Sequence, residues 1–387
     1  MKEICPIQIC TGCGLCASLC PKKCIKILPQ KMGHLYPYVD QDSCVNCGLC
    51  QNSCPSVNEK EKKYPLTAYA AWAKDINDYT TSTSGGVSAI ISQYIISQGG
   101  IVYGCEMKPG IEVKHIRIDQ KNDLYRIKGS KYVQSSVVDC YQKIRDDVKT
   151  GRKTLFLGTP CQCAAVKNLF KDVPLNLYLV DLICHGVPSL DVLKKHVSKI
   201  TNITEKTKVI FREGNYQYLC KIVEDGKVVY SRCLQTERYK DFFINAFFDG
   251  YLSRESCSTC KYAQPNRCSD ITIGDFWGLG KRFSVEEIPS HDYGCSVVLP
   301  ITKKGQQLVD AISPMLNIYE RKVEEAVDGN TQLKCPLSFD DRIIKFRKYY
   351  TNIGSFAYYL MNLDRILLYF YKKIKCKLSF ILKKEKR

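Results

Sequence analysis

The sequence is short of the features that usually declare a class. No stretch approaches about eighteen uninterrupted apolar residues, so no membrane-crossing helix is expected. The start, MKEICPIQIC, has no apolar core of a secretory signal. No G-x-G-x-x-G fingerprint occurs, so a standard dinucleotide fold is not supported. The C-x3-C-x2-C spacing used for radical chemistry is absent too. Acidic residues are outnumbered, 39 against 57 Lys and Arg, for a formal charge of +18. Nearly half of that excess is local, since residues 365–387 hold nine Lys/Arg and one Glu. A basic excess concentrated in a tail is weak ground for nucleic-acid binding, and no such partner is expected.

Cysteine is abundant, at 23 residues. Disulfide frameworks belong to small secreted chains. A 387-residue chain with 45% hydrophobic residues can instead bury the cores of two or three domains. The thiols are therefore expected to be reduced, in a cytoplasmic protein, with many of them on metal.

CTGCGLCASLCP and CVNCGLCQNSCP repeat the pattern C-x2-C-x2-C-x3-C-P, 34 residues apart. The first holds Cys10, Cys13, Cys16, Cys20 and Pro21; the second holds Cys44, Cys47, Cys50, Cys54 and Pro55. This spacing folds a tight loop around a 4Fe–4S cubane, and in two-cluster ferredoxins the fourth Cys of each run ligates the other cluster. The expected sets are Cys10, Cys13, Cys16 with Cys54, and Cys44, Cys47, Cys50 with Cys20. A pair of zinc sites would separate two CxxC pairs by a longer insert. Cys5 and Cys24 are left over and read as small buried residues. The ferredoxin module spans 1–58, and the charged run EKEKK at 59–63 reads as a linker.

Beyond it, STSGGVSAIISQYIISQGG predicts a helix with Val87, Ile90, Ile91, Tyr94 and Ile95 on one face, N-caps among Ser82 and Ser84, and an end at Gly99-Gly100. Gly85-Gly86 exposes backbone N–H groups at the positive end of the dipole; a phosphate site and an ordinary cap are both open readings. IVYGCEM reads as a strand. KGSKYVQSS sets Lys128 and Lys131 beside Tyr132, Gln134 and several hydroxyls, as a phosphate-and-ring loop or a solvated basic one. A helix is expected over 137–149. TLFLGTPCQCAAVKNLF then gives strand, turn and a helix from near Cys161, and LYLVDLICHGVPSLDVLKKHVSKI repeats the plan with Cys184 and His185 in the turn and a helix from Ser189. Strands alternating with helices predict a parallel sheet, whose ligands bind beyond the carboxyl ends of its strands. KVIFREGNYQYLCKIVEDGKVVYSR alternates and turns at Asp225-Gly226, which predicts an antiparallel hairpin or meander. The aromatic run 239–251 predicts a buried helix.

SCSTCKYAQPNRCSDITIGDFWG supplies Cys257, Cys260 and Cys268, three thiolates for a four-coordinate site. His291 and Cys295 lie downstream. Cys161, at a strand end, is the preferred fourth ligand and Cys184 the second choice. A third 4Fe–4S cluster is expected, with zinc, or no metal at all, as the alternatives.

Taken in order, TSGG, GSKYVQS, GTPCQ, DLICHGVPS, CSTC…NRCSDITIGDFWG and the ferredoxin resemble the coenzyme F420 hydrogenase/dehydrogenase beta-subunit family, in the branch with a fused ferredoxin. The resemblance runs from about Cys10 to Pro300. It implies an FAD-containing iron–sulfur reductase; some relatives exchange hydride with the deazaflavin F420, and others take electrons from ferredoxin to reduce small organic substrates. By motif, Ser84, Gly85 and Gly86 resemble the flavin-binding turn, and Lys131, Tyr132 and Gln134 a second flavin-contacting loop. Cys161, Cys257, Cys260 and Cys268 resemble the extra cluster's ligands, although Cys163 stands beside Cys161 as a rival. Asp275 is a site or structural carboxylate. His185 is a proton donor or a turn histidine bonded to backbone.

The expected fold class is α+β: a two-cluster ferredoxin domain (1–58), a mixed α/β flavin-binding domain in two regions (64–150 and 151–330) with an antiparallel subregion, and a basic helical tail (331–387). The expected function is an oxidoreductase passing single electrons between clusters and FAD, with hydride exchange to F420 or another small organic substrate. The competing expectation is an electron-relay subunit without substrate chemistry. A redox partner protein, a ferredoxin or a hydrogenase or dehydrogenase subunit, is implied. The tail mixes Leu, Ile, Phe and Tyr with lysines, as an interfacial helix does, so peripheral contact with the inner face of a membrane is an open expectation beside packing on the domain.

Overall fold

The computed structural model describes residues 3–213 and 217–384, with side chains through Cys376 at the C-terminal end. A hairpin of β1 (Ile25–Pro29) and β2 (Leu35–Val39) separates the two cysteine loops of the ferredoxin module. The chain then lays down β3 (Ala68–Ala73), β4 (Ile101–Lys108), β5 (Glu112–Ile118), β6 (Thr154–Gly158) and β7 (Leu177–Leu182). A separate antiparallel sheet follows, of β8 (Lys208–Glu213), β9 (Gln217–Glu224) and β10 (Lys227–Cys233). This is the expected meander, turning at Asp225-Gly226 with both residues at positive φ; its residues 214–216 lie outside the described residues. Finally β11 (Ile271–Asp275), β12 (Ser296–Pro300) and β13 (Leu316–Arg321) return to the first sheet, giving the order β13-β3-β12-β11-β7-β6-β4-β5.

The four central strands β4, β6, β7 and β11 are parallel. TLFLG is almost wholly buried, and LYLVDL is buried at Leu177 and from Leu179 to Asp181, as strands covered on both faces are; Leu182 emerges at the strand end. The flanks depart from the predicted parallel sheet: β5, β12, β3 and β13 pair antiparallel. β4 and β5 are joined by a connection too short for a parallel crossover.

Helix Val87–Ser97 forms as predicted, with Val87, Ile90, Ile91 and Ile95 buried. Its N-cap is Gly86 at φ 81, not a serine. The Ser82 hydroxyl instead donates back to the Asp78 carbonyl (2.6 Å), closing the preceding short helix Ile76–Thr80. A 3-10 turn, Val138–Cys140, stands where the expected helix would begin, and the helix proper is Tyr141–Lys149. The aromatic run gives helix Phe242–Phe248, capped by the Asp241 carboxylate accepting from the Ile244 N–H at 2.7 Å.

The ferredoxin module is welded to the rest. Leu15 joins the core of Ile101, Tyr103, Val137 and Tyr141, and the Ser189 hydroxyl donates to the Met32 carbonyl at 2.6 Å. The run 59–63 is no free linker: Lys60 Nζ donates to the Lys171 carbonyl, Glu59 pairs with Lys62 and Lys261, and the Lys63 and Arg267 backbones bond each other. At the C-terminal end, helices Asp341–Ile353 and Phe356–Met361 bury Ile343, Phe346, Tyr350 and Tyr358 in the second core. Helix Leu363–Lys384 follows, with Leu363, Leu367, Leu368, Tyr371 and Ile374 exposed among the described residues.

Candidate functional site

The two cysteine loops lead into matching short helices, Leu15–Leu19 and Leu49–Asn52, and the chain returns so that each fourth cysteine reaches the other loop. Burial pushes the Cys13 thiol up to about 12, and the neighbouring Cys54 and Cys10 push the same way. Cys16 is raised by burial and by Cys13, Cys10 and Cys54. On the far side, Cys50 has Cys47 and Cys20 as neighbours. Thiols therefore gather in the crossed groups that two cubanes require. The leftover cysteines attend the same groups. Hydrogen bonding with Cys5 holds Cys10 and Cys54 below the usual thiol range, and Cys24 Sγ lies 3.3 Å from Cys20 Sγ.

A third thiol group forms where the ferredoxin meets the sheet. Cys161 sits in the first turn of helix Pro160–Lys167, fixed by a Thr159–Gln162 capping box. Cys184 follows β7, and Cys257 ends the 3-10 turn Glu255–Cys257. Cys161, Cys184, Cys257 and Cys260 line one cavity of about 60 Å³, with Ile9 and Thr11 of the first ferredoxin loop on its wall. Cys268 does not line it; it is buried behind, with Ala164 and Tyr262, against Cys161 and Cys260. Cys163 turns away, its Sγ 3.6 Å from the Val180 carbonyl. Cys295 and His291 lie elsewhere, His291 against Trp72. Burial raises the thiols of Cys161 and Cys257 to about 12 and 11.

Among the described residues only His196, Cys220 and Asp241 bring three donor atoms within 4.8 Å of one another. A tetrahedral zinc with bonds of about 2.3 Å needs thiolates roughly 3.8 Å apart. Among the described residues no three thiols around Cys161 gather within 4.8 Å of one another. The His196 trio is a knot of the core. Asp241 caps a helix with Oδ1 and accepts from His196 Nε2 (2.8 Å) and the Tyr230 hydroxyl (3.0 Å) with Oδ2.

Across Cys161 and Cys184 lies a larger cavity, of about 320 Å³, beyond the carboxyl ends of β6, β7 and β11. Of the residues singled out in the sequence, it brings together Ser84, Gly86, Lys131, Tyr132, Gln134, His185 and Asp275. Gly85 is not on its wall: a Cβ there would lie 2.2 Å from the Ala71 carbonyl, so this glycine lets the helix start approach β3. One end is rich in hydroxyls. There Lys128 Nζ bonds Asp78 (2.7 Å) and Thr81 (2.9 Å), and Ser130 bonds Thr83, which straps the loop of Lys131 to the loop of Ser84. Lys131 is engaged with protein, its Nζ donating to the Ile127 and Lys128 carbonyls. Burial lowers its pKa. Tyr132 stacks on Phe247, ring centroids 4.7 Å apart, in an aromatic wall.

Gln134 also faces away from a simple ligand role. Its Nε2 donates to the Thr11 and Gly12 carbonyls of the ferredoxin loop and its Oε1 accepts from Arg254. Asp275 Oδ2 accepts from Arg212 Nη1 at 2.8 Å, while Oδ1 is buried without a partner. His185 lines the cavity with its pKa lowered by burial, which Asp275 opposes. No motif pointed to Arg212, to Asn330, whose buried Oδ1 lacks a partner among the described residues, or to His115, which the fold joins beneath the cavity to Ser135 of GSKYVQS and through it to Gln162 of GTPCQ. Each is an ordinary residue in its own segment and acquires a place only through the fold.

Crossed thiols in the N-terminal module and a third group against a mixed sheet define an iron–sulfur electron-transfer protein. Residues 9–58 match the model of the 4Fe-4S dicluster domain, and residues 151–326 match the model for the C terminus of the coenzyme F420 hydrogenase/dehydrogenase beta subunit. These two segments are therefore identified as the C-terminal region of the coenzyme F420 hydrogenase/dehydrogenase beta subunit and a fused 4Fe-4S dicluster domain, as the motifs implied. The model over 151–326 is that of a subunit of hydrogenases and dehydrogenases, which are oxidoreductase complexes. No curated protein matches. Among solved structures, a chain of the F420-reducing [NiFe] hydrogenase complex from Methanosarcina barkeri, studied by xenon derivatization, is similar at 20% identity and a TM-score of 0.45, over 71% of this chain and 92% of that one.

Proposed function

We propose that this chain is an iron–sulfur flavoprotein oxidoreductase. It passes single electrons between 4Fe–4S clusters and FAD, with hydride exchange to F420 or another small organic substrate. One observation carries the reading: Cys161 and Cys184 belong to the walls of both the thiol cavity and the larger cavity, so a one-electron site and a ligand site share a partition. The larger volume falls in the range of cofactor sites, about 300–1,000 Å³. A bound flavin would supply the interconversion of hydride and single electrons. The chain's own residues would hold it. Gly86 opens helix Val87–Ser97 with free N–H groups and a positive dipole end toward a phosphate. Ser84 adds a hydroxyl, and Tyr132 offers a flat aromatic wall. Lys131 keeps a cation at the wall while its Nζ is fixed by two carbonyls. His185 and Asp275 are placed to hold or move a proton at the substrate end.

For the third cluster we propose Cys161, Cys184, Cys257 and Cys260, which share one cavity, with Cys268 behind them. The eight ferredoxin thiols take the other two clusters in the crossed sets. The domain partition 1–58, 64–150, 151–330 and 331–387 is retained as a proposal, and a redox partner protein is the proposed electron source or sink. Anaerobic purification with iron, sulfide and flavin analysis tests the reading. About twelve irons and one FAD per chain are expected, from three four-iron clusters. Clusters without flavin would favour the pure relay subunit, and eight irons with one zinc would revise the third site.

We further propose that the C-terminal helix rests on an anionic membrane surface. Leu363, Leu367, Phe370, Tyr371 and Ile374 are exposed at helical spacing along one face of Leu363–Lys384; Lys373 and Lys375 flank it and Lys372 lies opposite. No helix among the described residues is long and apolar enough to cross a membrane. Flotation on anionic vesicles by the full chain, lost on truncation after Asn362, which keeps the core helices Asp341–Ile353 and Phe356–Met361, is the expected result; equal flotation of both would remove the idea.

A further inference from the structure

The two ferredoxin motifs share their spacing, yet the first closes around a buried cation. Arg254, 1% exposed, reaches from just ahead of Cys257 into the first cysteine loop. Its Nε donates to the Cys10 carbonyl (2.7 Å), Nη2 to the Leu35 carbonyl (2.7 Å) and Nη1 to Gln134 Oε1 (3.1 Å). Nη2 also lies 3.9 Å from Cys10 Sγ, and the guanidinium sits 4.0 Å from the centroid of the Tyr36 ring. Gly12 is bare to admit it: a Cβ there would stand 2.5 Å from Nη1, on a backbone at φ +64.

Buried charges are normally paired. Arg254 makes no ion pair with a carboxylate among the described residues. The thiol it touches directly is Cys10 of the inner site, Cys10, Cys13, Cys16 and Cys54, while it also lines the cavity of Cys161 and Cys257 from further off. A cubane on four thiolates is anionic when oxidised and gains one further negative charge when reduced. Burial alone penalises that extra charge, whereas a fixed cation and its hydrogen bonds favour it. The outer site differs: Cys47 is exposed, and the nearby Lys22 and Lys23 are exposed in screening solvent.

We infer that Arg254 is a redox-tuning residue, the counter-charge of the inner 4Fe–4S cluster, which raises that cluster's potential enough for an electron on the outer cluster to move inward. The step is a one-electron exchange: the outer cluster is oxidised, the inner one reduced, and no proton moves. It acts through Cys10 and its loop, and it holds whether or not the larger cavity takes a flavin.

The test is a potentiometric titration followed by electron paramagnetic resonance on the anaerobically purified full chain. Cys47→Ser identifies the outer signal. In Arg254→Gln the inner midpoint is expected to fall by at least a tenfold change in the oxidised-to-reduced ratio, which is 59 mV for one electron. The outer midpoint stays in place, and Arg254→Lys restores most of the loss. Should Arg254→Gln fail to hold its irons, Gln134→Glu sets a carboxylate against Nη1 with the arginine still present, and the inner midpoint falls again. An unmoved inner midpoint in either variant at full iron content, or both midpoints moving together, overturns the assignment.

Discussion

Cys13-Gly14-Leu15-Cys16 and Cys47-Gly48-Leu49-Cys50 are the same tetrapeptide, and the fold treats them oppositely. Leu15 is 1% exposed inside the core it shares with Ile101 and Tyr141; Leu49 is 42% exposed. Tyr141, fully buried, donates its hydroxyl to the Cys13 carbonyl at 2.8 Å, and Cys161 is another of its neighbours. The inner loop is thus pressed against the third thiol group, while the outer loop, with Val45, Cys47 and Leu49, faces solvent. Local spacing decides what such a loop can bind. Its surroundings decide whether it exchanges electrons with the interior or with another protein.

That contrast can be broken most violently at the junction. Cys161→Ser or Cys257→Ser should lose about four irons per chain by iron and sulfide analysis, while both ferredoxin signals survive. Cys184→Ser should lose the same four, and Cys268→Ser should keep them; the reverse pair of results would restore Cys268 as ligand. A smaller effect separates the twin leucines. Leu15→Ala removes a core side chain and should cost roughly 2–5 kcal/mol in denaturant unfolding. Leu49→Ala should stay within about 0.5 kcal/mol, as exposed substitutions do. Equal costs would mean that the two loops are not differently buried in solution.

How far the sequence could be read follows the same division between local and assembled features. Cys10 to Cys54 were legible because a cubane loop is specified by residues a few positions apart. Helix Val87–Ser97 and the strands of the parallel core were legible from periodicity and apolar runs. The serine N-cap failed because Ser82 had a competing partner, the Asp78 carbonyl, which only the preceding short helix supplies. The antiparallel flanks failed because strand direction is decided by which distant partner a strand finds: β3 and β12 are more than two hundred residues apart in sequence. The linker reading of 59–63 marked the end of the ferredoxin module but not its contacts: Lys60 reaches the Lys171 carbonyl, Glu59 pairs with Lys261, and the Lys63 backbone bonds that of Arg267. Gln134 lines the larger cavity with its loop neighbours, yet its amide turns to Thr11 and Gly12, a contact across more than 120 positions that no motif encodes.

The gentlest probe of the comparison is pH. His34 and His115 both lie on the buried side. Burial, then the charges of Arg254 and Arg347, lowers His34 to about 3; burial chiefly lowers His115 to about 4. In the unfolded chain each titrates near 6.5. Between these values the unfolded state binds more protons, so stability must fall as pH drops below about 6.5 and is fully present above it. From pH 8 to pH 6 the two together should cost roughly 1–2 kcal/mol in urea unfolding. The outer face adds nothing to this slope: Asp40, held below its usual range by the Ser43 hydroxyl, stays charged throughout the window. His34→Leu should remove about half of the dependence. If unfolding is instead flat from pH 8 to pH 6, protons and water reach His34, the seam beside Arg254 is not dry, and the inner loop is no more secluded than its exposed twin.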